Sequence, residues 1–137
     1  MSDCIFCKIV SGQLPSTKLY EDAAALAIMD ISPIAPGHAL LLSKKHYATL
    51  IDAPAAELAG LAAALLKVVP AMLKGTGAEG FNIVQNNQRC AGQLVPHLHF
   101  HIVPRKPGDG IRFNWSPSPA AKSEISATAD AIKKHLV

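Results

Sequence analysis

Three histidines, His97, His99 and His101, alternate with large apolar residues late in the chain. Successive side chains of a β-strand point to opposite faces, so the alternation predicts a strand with all three imidazoles on one face, their Cα atoms about 7 Å apart. A neutral imidazole is a good nucleophile near pH 7 and a common metal ligand. The row therefore indicates an active site, for covalent catalysis or for a catalytic metal ion, whereas the structural alternative is a half-exposed strand with a polar outer face.

The cysteines offer a second kind of chemistry. Cys4 and Cys7 are separated by two residues, a spacing used by metal sites and by thiol redox motifs, and two ordinary N-terminal cysteines are the third possibility. Cys90 stands alone, and three cysteines argue against a disulfide framework. The N-terminal segment lacks the apolar run of a secretory signal, so we expect a cytoplasmic protein.

One long helix is the clearest of the elements that must position these residues. Apolar residues recur at steps of three and four from Leu58 to Leu73, among them Ala62 and Leu66, which predicts a helix with one buried face. Pro54 suits its first turn, and glycines after residue 74 suit its end. Pro70 should kink the last turns or end the helix early.

The remaining elements are predicted to be five strands and a weaker C-terminal helix. Short apolar segments separated by turn residues indicate strands over residues 18–21, 24–29, 38–43, 81–85 and 97–103, and the helix covers roughly residues 122–135. The predicted fold class is α+β, with a mostly antiparallel five-stranded sheet, one long helix and a short C-terminal helix. Residues 1–137 form a single domain, with an irregular proline-rich segment from about residue 104.

Composition excludes several classes of protein. The chain has 137 residues, of which 50% are hydrophobic and 17% charged, so it is not disordered. Its longest apolar stretch, residues 53–73, is interrupted by Glu57, Lys67 and Pro70, which argues against a membrane span. A net charge of +3 favours anionic small molecules but is too weak to indicate a nucleic-acid partner.

The segment from His97 to Val103 resembles the signature of the histidine triad family, His-x-His-x-His followed by two apolar residues. Other segments look like the short nucleotide-binding branch of that family and occur in the same order: Cys4–Ile9, Asp30–Pro33 with Ala35–His38, Lys44–His46 and Gly80–Val84. The resemblance covers about residues 4 to 105. It implies the fold of that family and hydrolysis or transfer at the α-phosphorus of nucleoside phosphoramidates or dinucleoside polyphosphates.

The resemblance also implies roles for individual residues. His99 would be the covalent nucleophile and would form a nucleotidyl-histidine intermediate, with the carbonyl of His97 fixing its tautomer. His101, Gln93 and His38 would contact the phosphate and stabilise the charge that develops there. The chemistry needs no catalytic cofactor.

Four further positions match residues that hold the nucleoside in that family. Asp30 would bind the ribose hydroxyls, Ile28 and Ile31 would form the base pocket, and Asn86 would lie near the phosphate and sugar. The substrate would be a nucleoside monophosphate ester or amide, with a purine base. Taken singly, these residues have ordinary alternatives, because Asp30 and Asn86 suit turns and loops and the isoleucines suit a core.

One position departs from the family pattern. Leu94 stands where well-studied members carry a hydroxyl residue that touches the phosphate or the leaving group, and leucine cannot donate a hydrogen bond. The alternative function is therefore a catalytically weak nucleotide-binding sensor or partner-binding protein.

Zinc and a homodimer complete the expectations. Some microbial members of the family carry a structural zinc, and Cys4, Cys7, His46 and His97 supply the four donors of a tetrahedral site. The nucleotide-binding branch pairs its long helix and a sheet edge across a two-fold axis. The long helix is apolar nearly all round, and the small residues Gly60 and Ala64 suit a close helix contact there. Trp115 is either a contact with the partner subunit or local packing.

Overall fold

Five strands and three α-helices form the protein, in a computed structural model that describes residues 3–113 and 118–136. Two short 3-10 turns, Leu50–Asp52 and Arg89–Ala91, interrupt the loops. In chain order the elements are α1 (Ile5–Val10), β1 (Lys18–Glu21), β2 (Ala25–Met29), β3 (Ala39–Ser43), α2 (Ala55–Thr76), β4 (Gly80–Val84), β5 (His99–Arg105) and α3 (Lys122–Lys133).

All five strands belong to one sheet with the order β1-β2-β3-β5-β4, and each neighbouring pair is antiparallel. This arrangement confirms the predicted α+β class and antiparallel sheet. The last strand in sequence, β5, lies between β3 and β4, where His99 pairs with Leu42 and His101 pairs with Leu40. Both histidines are thereby held in the interior of the sheet and not at its edge.

Helix α2 covers one face of the sheet. Three of the sheet residues on this face are alanines, which allow the helix to approach closely. Leu98 and Ile102 also lie in this core, as their alternation with histidine predicts. The buried cluster comprises Ala25, Ala27, Ala39, Leu41, Leu98 and Ile102 from the sheet side with Leu61, Ala64, Val68, Val69 and Met72 from α2.

The opposite face of the sheet carries a smaller core and the chemistry. Leu26, Ile28, Leu40 and Leu42 pack there against Phe6 of α1. Because paired residues in an antiparallel ladder point to the same side, His99 and His101 share this face with Leu42 and Leu40. The helix α1, which the sequence analysis did not predict, therefore lies over the histidines.

Two expectations about α2 were wrong, the early end at Pro70 and part of the buried face. The helix continues past Pro70 to Thr76 and ends at Gly77, whose φ of 71° is the left-handed conformation of a C-cap. The carbonyl deprived of its partner by Pro70 belongs to Leu66, which is 78% exposed, so that water can reach this part of the helix and replace the lost bond. Leu66 and Ala62 are thus exposed and not part of the core.

The small residues of α2 also face inward. Ala64 is fully buried, and a Cβ atom at Gly60 would lie 3.0 Å from the Cβ of Ala24 in the same chain. These two positions therefore permit close packing of the helix on its own sheet and not on a partner helix. By length and composition α2 is apolar enough to cross a membrane, although a core helix that packs on a sheet has the same composition.

Strand β5 extends two residues beyond the predicted strand, so the irregular segment begins after Arg105. The guanidinium of Arg105 donates hydrogen bonds to Asp109, to Oδ1 of Asn82 and to the carbonyl of Ile111. This segment is consequently anchored to the edge strand β4. Trp115 lies outside the described residues.

Candidate active site and metal centre

A cavity of about 550 Å³ opens on the α1 side of the sheet. It brings together most of the residues that the sequence analysis assigned to catalysis and nucleoside binding: Ile28, Asp30, Ile31, Asn86, His99 and His101. Residues that were not predicted complete the wall, namely Ile5, Phe6 and Ile9 of α1 with residues 14–16. The apolar residues of α1 at positions 5, 6, 9 and 10 have helical spacing, which is the signal by which this wall could have been found.

His99 is buried at the floor of this cavity with one defined tautomer. Its Nδ1 lies 2.6 Å from the backbone carbonyl oxygen of His97. A carbonyl only accepts, so Nδ1 of neutral His99 carries the proton and Nε2 keeps a free lone pair. Burial lowers the pKa of His99, and the hydrogen bond to His97 opposes this in part. The ring is therefore neutral and nucleophilic at pH 7.

His101 is held by a short chain of hydrogen bonds. The backbone N–H of Ile34 donates to Nδ1 of His38, so Nε2 of neutral His38 carries a proton, and this atom lies 3.0 Å from Nδ1 of His101. Nδ1 of His101 is then an acceptor, which leaves its Nε2–H as a donor. Burial, together with the neighbouring His99 and His38, lowers the pKa of His101 to about 4.

His38 is itself buried beneath the cavity beside Asp30. The Oδ2 atom of Asp30 lies 3.4 Å from Nε2 of His38. Burial lowers the pKa of His38, whereas the charge of Asp30 raises it. His38 is thus neutral at pH 7 and acts on the cavity through His101.

Asp30 is a turn residue that also lines the cavity. Its Oδ1 accepts a hydrogen bond from the N–H of Ser32 at 2.7 Å, as expected of a turn residue, yet the side chain also lines the cavity. The neighbouring isoleucines differ, because Ile28 is buried in the small core whereas Ile31 is 97% exposed. A side chain so exposed at a cavity wall is available to contact a ligand.

The side-chain amide of Gln93, expected to contact the phosphate, is hydrogen-bonded to backbone groups in this structure. Its Nε2 donates to the carbonyl of Ala48 at 2.7 Å, and its Oε1 accepts from the N–H of Gln88 at 2.8 Å. Both ends of the buried amide are therefore occupied by backbone groups and do not face the cavity. Gln88 has a φ of 76°, a conformation unfavourable for any residue except glycine, and Gln93 holds it there.

Leu94 follows Gln93 and is turned outward. It is 73% exposed and lines the cavity together with Gly92 and Val95. The position that departs from the family pattern therefore adjoins the catalytic histidines and adds an apolar surface to the cavity.

His97 differs from the other two histidines. It precedes β5, which begins at His99, and its ring is completely buried. Its Nδ1 lies 3.3 Å from Sγ of Cys4, 3.6 Å from Sγ of Cys7 and 3.2 Å from Nδ1 of His46. His97 therefore shares the α1 face of the sheet with His99, since the ring of Phe6 contacts both, but its side chain belongs to the separate cluster that the resemblance implied.

The four residues of this cluster fit a tetrahedral metal ion. With Zn–N bonds of about 2.0 Å and Zn–S bonds of about 2.3 Å, a tetrahedron has N–N edges of about 3.3 Å and N–S edges of about 3.6 Å. The distances within the cluster match these edges, including 3.3 Å between Sγ of Cys7 and Nδ1 of His46. Nε2 of His97 lies 2.7 Å from the carbonyl oxygen of Ser43, and donation there leaves Nδ1 free as a ligand.

The protonation of the thiols is consistent with such a site. Burial and the neighbouring Cys4 raise the pKa of Cys7, so that a thiolate at this position needs a cation for compensation. In the part of the chain that the structure describes, the second group able to hold a metal is Asp30, His38 and His101. His97, His99 and His101 do not form such a group, which argues against the interpretation of the triad as three ligands of one metal ion.

Comparisons with known proteins agree with this geometry. The model of the HIT domain family matches residues 11–108. An adenosine 5'-monophosphoramidase of Schizosaccharomyces pombe is 40% identical over 97% of this chain and 98% of its own length. The adenylylsulfatase HINT3 of Arabidopsis thaliana is 36% identical over 98% of this chain and 70% of its own length.

Solved structures give the same result. A zinc-bound histidine triad family protein from Mycobacterium smegmatis superposes with a TM-score of 0.77 at 36% identity, and covers 98% of this chain and 99% of its own. The match of the domain model, the similarity over nearly the full chain and the common fold show that the protein is a member of the histidine triad (HIT) family.

Proposed function

We propose that the protein hydrolyses nucleoside 5'-phosphoramidates, or related esters such as dinucleoside polyphosphates, at the α-phosphorus through a covalent nucleotidyl-His99 intermediate. The observation that carries this proposal is the 2.6 Å contact between Nδ1 of His99 and the carbonyl of His97, which directs the lone pair on Nε2 toward a ligand in the cavity. The phosphoramidase and adenylylsulfatase names of the relatives support the same class of reaction.

The reaction divides into two displacements at phosphorus. In the first, the Nε2 lone pair of His99 forms an N–P bond while the bond between phosphorus and the leaving amine breaks, and the amine takes a proton from water. In the second, water attacks the phosphorus and gives one proton to the solvent, the N–P bond breaks, and nucleoside monophosphate is released with His99 neutral again. The proton stays on Nδ1 of His99 throughout and is donated in a hydrogen bond to the carbonyl oxygen of His97.

His101 has the role of stabilising charge on the phosphoryl oxygens. Its Nε2–H is the free donor at the end of the chain from Ile34 through His38, and it is preorganised before the substrate arrives. A neutral donor is suited to this task, because it binds the developing negative charge without being consumed as an acid. His38 orients His101 and does not itself contact the phosphate.

The nucleoside would occupy the side of the cavity formed by Asp30 and the isoleucines. The free lone pairs of the Asp30 carboxylate accept from the ribose hydroxyls, and Ile28, Ile31 and the wall of α1 provide apolar surface for a purine base. Asn86, which also lines the cavity, would lie near the sugar and the phosphate. A function in nucleotide binding without efficient turnover is the second candidate, because Leu94 offers the leaving group no hydrogen bond.

Zinc would have a structural role in the cluster of Cys4, Cys7, His46 and His97. The metal would join the N-terminal segment, through Cys4 and Cys7, to His97, which precedes β5. It would also supply the positive charge that two thiolates require. The zinc-bound relative supports the choice of metal.

A homodimer is the assembly that fits the exposed apolar surfaces. The outer face of α2 displays Leu66 and several alanines, and the edge strand β4 exposes Phe81 and Ile83. A two-fold contact through this helix and strand would cover both surfaces. The support lies in these outward residues and not in Gly60 or Ala64.

A mass spectrum of the protein quenched during turnover of adenosine 5'-phosphoramidate tests the proposal. We expect a mass increase of one adenylyl group, located on the peptide that contains His99 and absent from His99→Ala. Turnover without any adduct would exclude the covalent route, and nucleotide binding without turnover would favour the second candidate.

A further inference from the structure

Helix α1 lies between the metal-binding cluster and the nucleophile. Phe6 follows Cys4 by two residues and precedes Cys7, and it is only 8% exposed. Its ring is in edge contact with the ring of His99, with centroids 4.9 Å apart and planes at 80°. The same ring contacts His97, with centroids 5.8 Å apart and planes at 84°. Phe6 thus touches both a cluster residue and the nucleophile.

The His99 ring needs such a contact because one hydrogen bond does not fix it. Rotation about the bond that joins an imidazole to its Cβ atom is broad, with two roughly equivalent orientations. The carbonyl of His97 restrains Nδ1 alone, and a rotation of the ring about its bond to Cβ would break that hydrogen bond, release the Nδ1–H tautomer and displace Nε2 from the phosphorus. Phe6 and His101, whose ring centroid lies 5.1 Å from that of His99, are the neighbours that oppose this rotation.

The position of Phe6 depends in turn on the cluster. Helix α1 has six residues, and isolated helices of this length are unstable in water. Its N-cap is Cys4, whose Sγ accepts from the N–H of Cys7 at 3.4 Å, and both thiols point to Nδ1 of His97. The cluster therefore fixes the turn that carries Phe6 at both ends.

We propose that Phe6 is a positioning residue for His99, and that the Cys4, Cys7, His46 and His97 cluster acts on the reaction by holding Phe6 against the nucleophile. The kinetic part of this inference rests on the proposed function. The structural part does not, because the orientation of the His99 ring is measurable without turnover.

The first experiment replaces Phe6 by leucine, which keeps an apolar wall but removes the ring. We expect kcat for adenosine 5'-phosphoramidate to fall about 2- to 10-fold, the range of aromatic pair interactions, with KM changed less than 2-fold. The matched control is Lys8→Ala on the same helix, which should leave kcat and KM unaltered, because Lys8 does not line the cavity. A rise in KM alone for Phe6→Leu would show that Phe6 is only part of the wall.

The second measurement is independent of activity. Nitrogen-15 NMR of His99 should give the spectrum of a single Nδ1–H tautomer in the wild type and a mixture of tautomers in Phe6→Leu, with Phe6→Met as the substitute if the leucine variant fails to fold. An unchanged tautomer in the folded variant would overturn the inference even if turnover fell. If the wild type showed no turnover at all, the proposed function would be wrong. The NMR spectrum of His99 would still show whether Phe6 positions its ring.

The third experiment tests the contribution of the cluster. Removal of zinc from the full-length protein with a chelator should produce the same tautomer mixture, and in Phe6→Leu it should add little further change. A defined His99 tautomer in the folded, metal-free protein would separate the cluster from the nucleophile. If chelation and Phe6→Leu changed the tautomer populations of His99 independently and additively, the cluster would not act on His99 through Phe6.

Discussion

His97 gives its backbone and its side chain to different sites. Its carbonyl oxygen lies 2.6 Å from Nδ1 of His99, while its own Nδ1 lies 3.3 Å from Sγ of Cys4. One residue therefore fixes the tautomer of the nucleophile and contributes to the metal-binding cluster. Displacement of its backbone would alter both sites together, although they lie on different parts of the chain.

His99→Ala should abolish turnover but retain nucleotide binding. The nucleophile acts in the chemical step, whereas Asp30 and the apolar wall provide most of the ground-state affinity. We expect kcat to fall by more than about a thousand-fold and the dissociation constant of nucleoside monophosphate to change by less than about ten-fold. Steady-state kinetics and calorimetry measure the two quantities, and comparable turnover in the variant would exclude His99 as nucleophile.

The purified protein should contain one zinc ion per chain. Metal analysis of protein prepared without chelator measures the content, and Cys4→Ser should lower both the zinc content and the melting temperature. Cys90→Ser is the matched control, because Cys90 is exposed and lies outside the cluster. The zinc site would be contradicted if the wild type contained no metal and Cys4→Ser had the same melting temperature as the wild type. Cys4 and Cys7 would then be ordinary cysteines.

The stability of the protein should decrease as the pH falls from about 6.5 toward 4. The pKa of His101 is lowered to about 4 by burial and by His99 and His38, although Asp30 raises it. In this interval the unfolded chain binds a proton that the folded protein does not, so protonation favours unfolding. The stabilisation is complete above the unfolded pKa and is lost on acidification.

Thermal melting between pH 4 and 8 measures this dependence. His101→Asn should show a shallower decrease than the wild type, while the part due to His38, whose pKa is also lowered, remains. Equal slopes in the two proteins would show that His101 does not contribute.

Leu94→Ser should change the preference for leaving groups. A hydroxyl at this exposed position of the cavity would donate a hydrogen bond to a charged leaving group, an interaction worth about 1.5–3 kcal/mol. We expect kcat/KM for adenosine 5'-phosphosulfate to rise about 10- to 150-fold relative to that for the phosphoramidate. Ile51→Ser, a substitution at a residue 90% exposed, is the control. An unchanged ratio of the two substrates would remove Leu94 from the determinants of specificity.

In solution the protein should be a dimer through the outer face of α2 and the edge strand β4. Light scattering at micromolar concentration should give a mass near twice 14.4 kDa. Leu66→Asp should shift the equilibrium to the monomer, because it places a charge on this face. A wild type that is monomeric and still turns over substrate would contradict the dimer.

The elements with strong periodicity could be predicted from the sequence. Three elements lie close to their expected bounds: β1, β3 and α2. Their apolar residues alternate or recur at helical spacing, and both patterns report burial directly. Helix α1 was missed, because its helical spacing extends over only six residues and its stability comes from tertiary contacts. Pro70 was misjudged, because the exposure of Leu66, which decides whether water can replace the lost bond, is a tertiary property.

The site was predictable in its residues more than in its geometry. The motifs identified His99, His101 and Asp30, which the fold brings to one cavity. The resemblance also separated the side chain of His97, as a zinc ligand, from His99 and His101. The start of β5 at His99 was not predicted, because the start of a strand depends on partners distant in sequence. The inward direction of Gln93 likewise depends on the carbonyl of Ala48, 45 residues away.

Gln93 and Leu94 have different tasks although they are adjacent. The buried amide of Gln93 is hydrogen-bonded to backbone groups and fixes the loop, whereas Leu94 is exposed and lines the cavity. We therefore expect substitutions at position 94 to have a small effect on stability and to act on the choice of leaving group. Protein engineering could then alter the selectivity of the cavity at one position without rebuilding the loop.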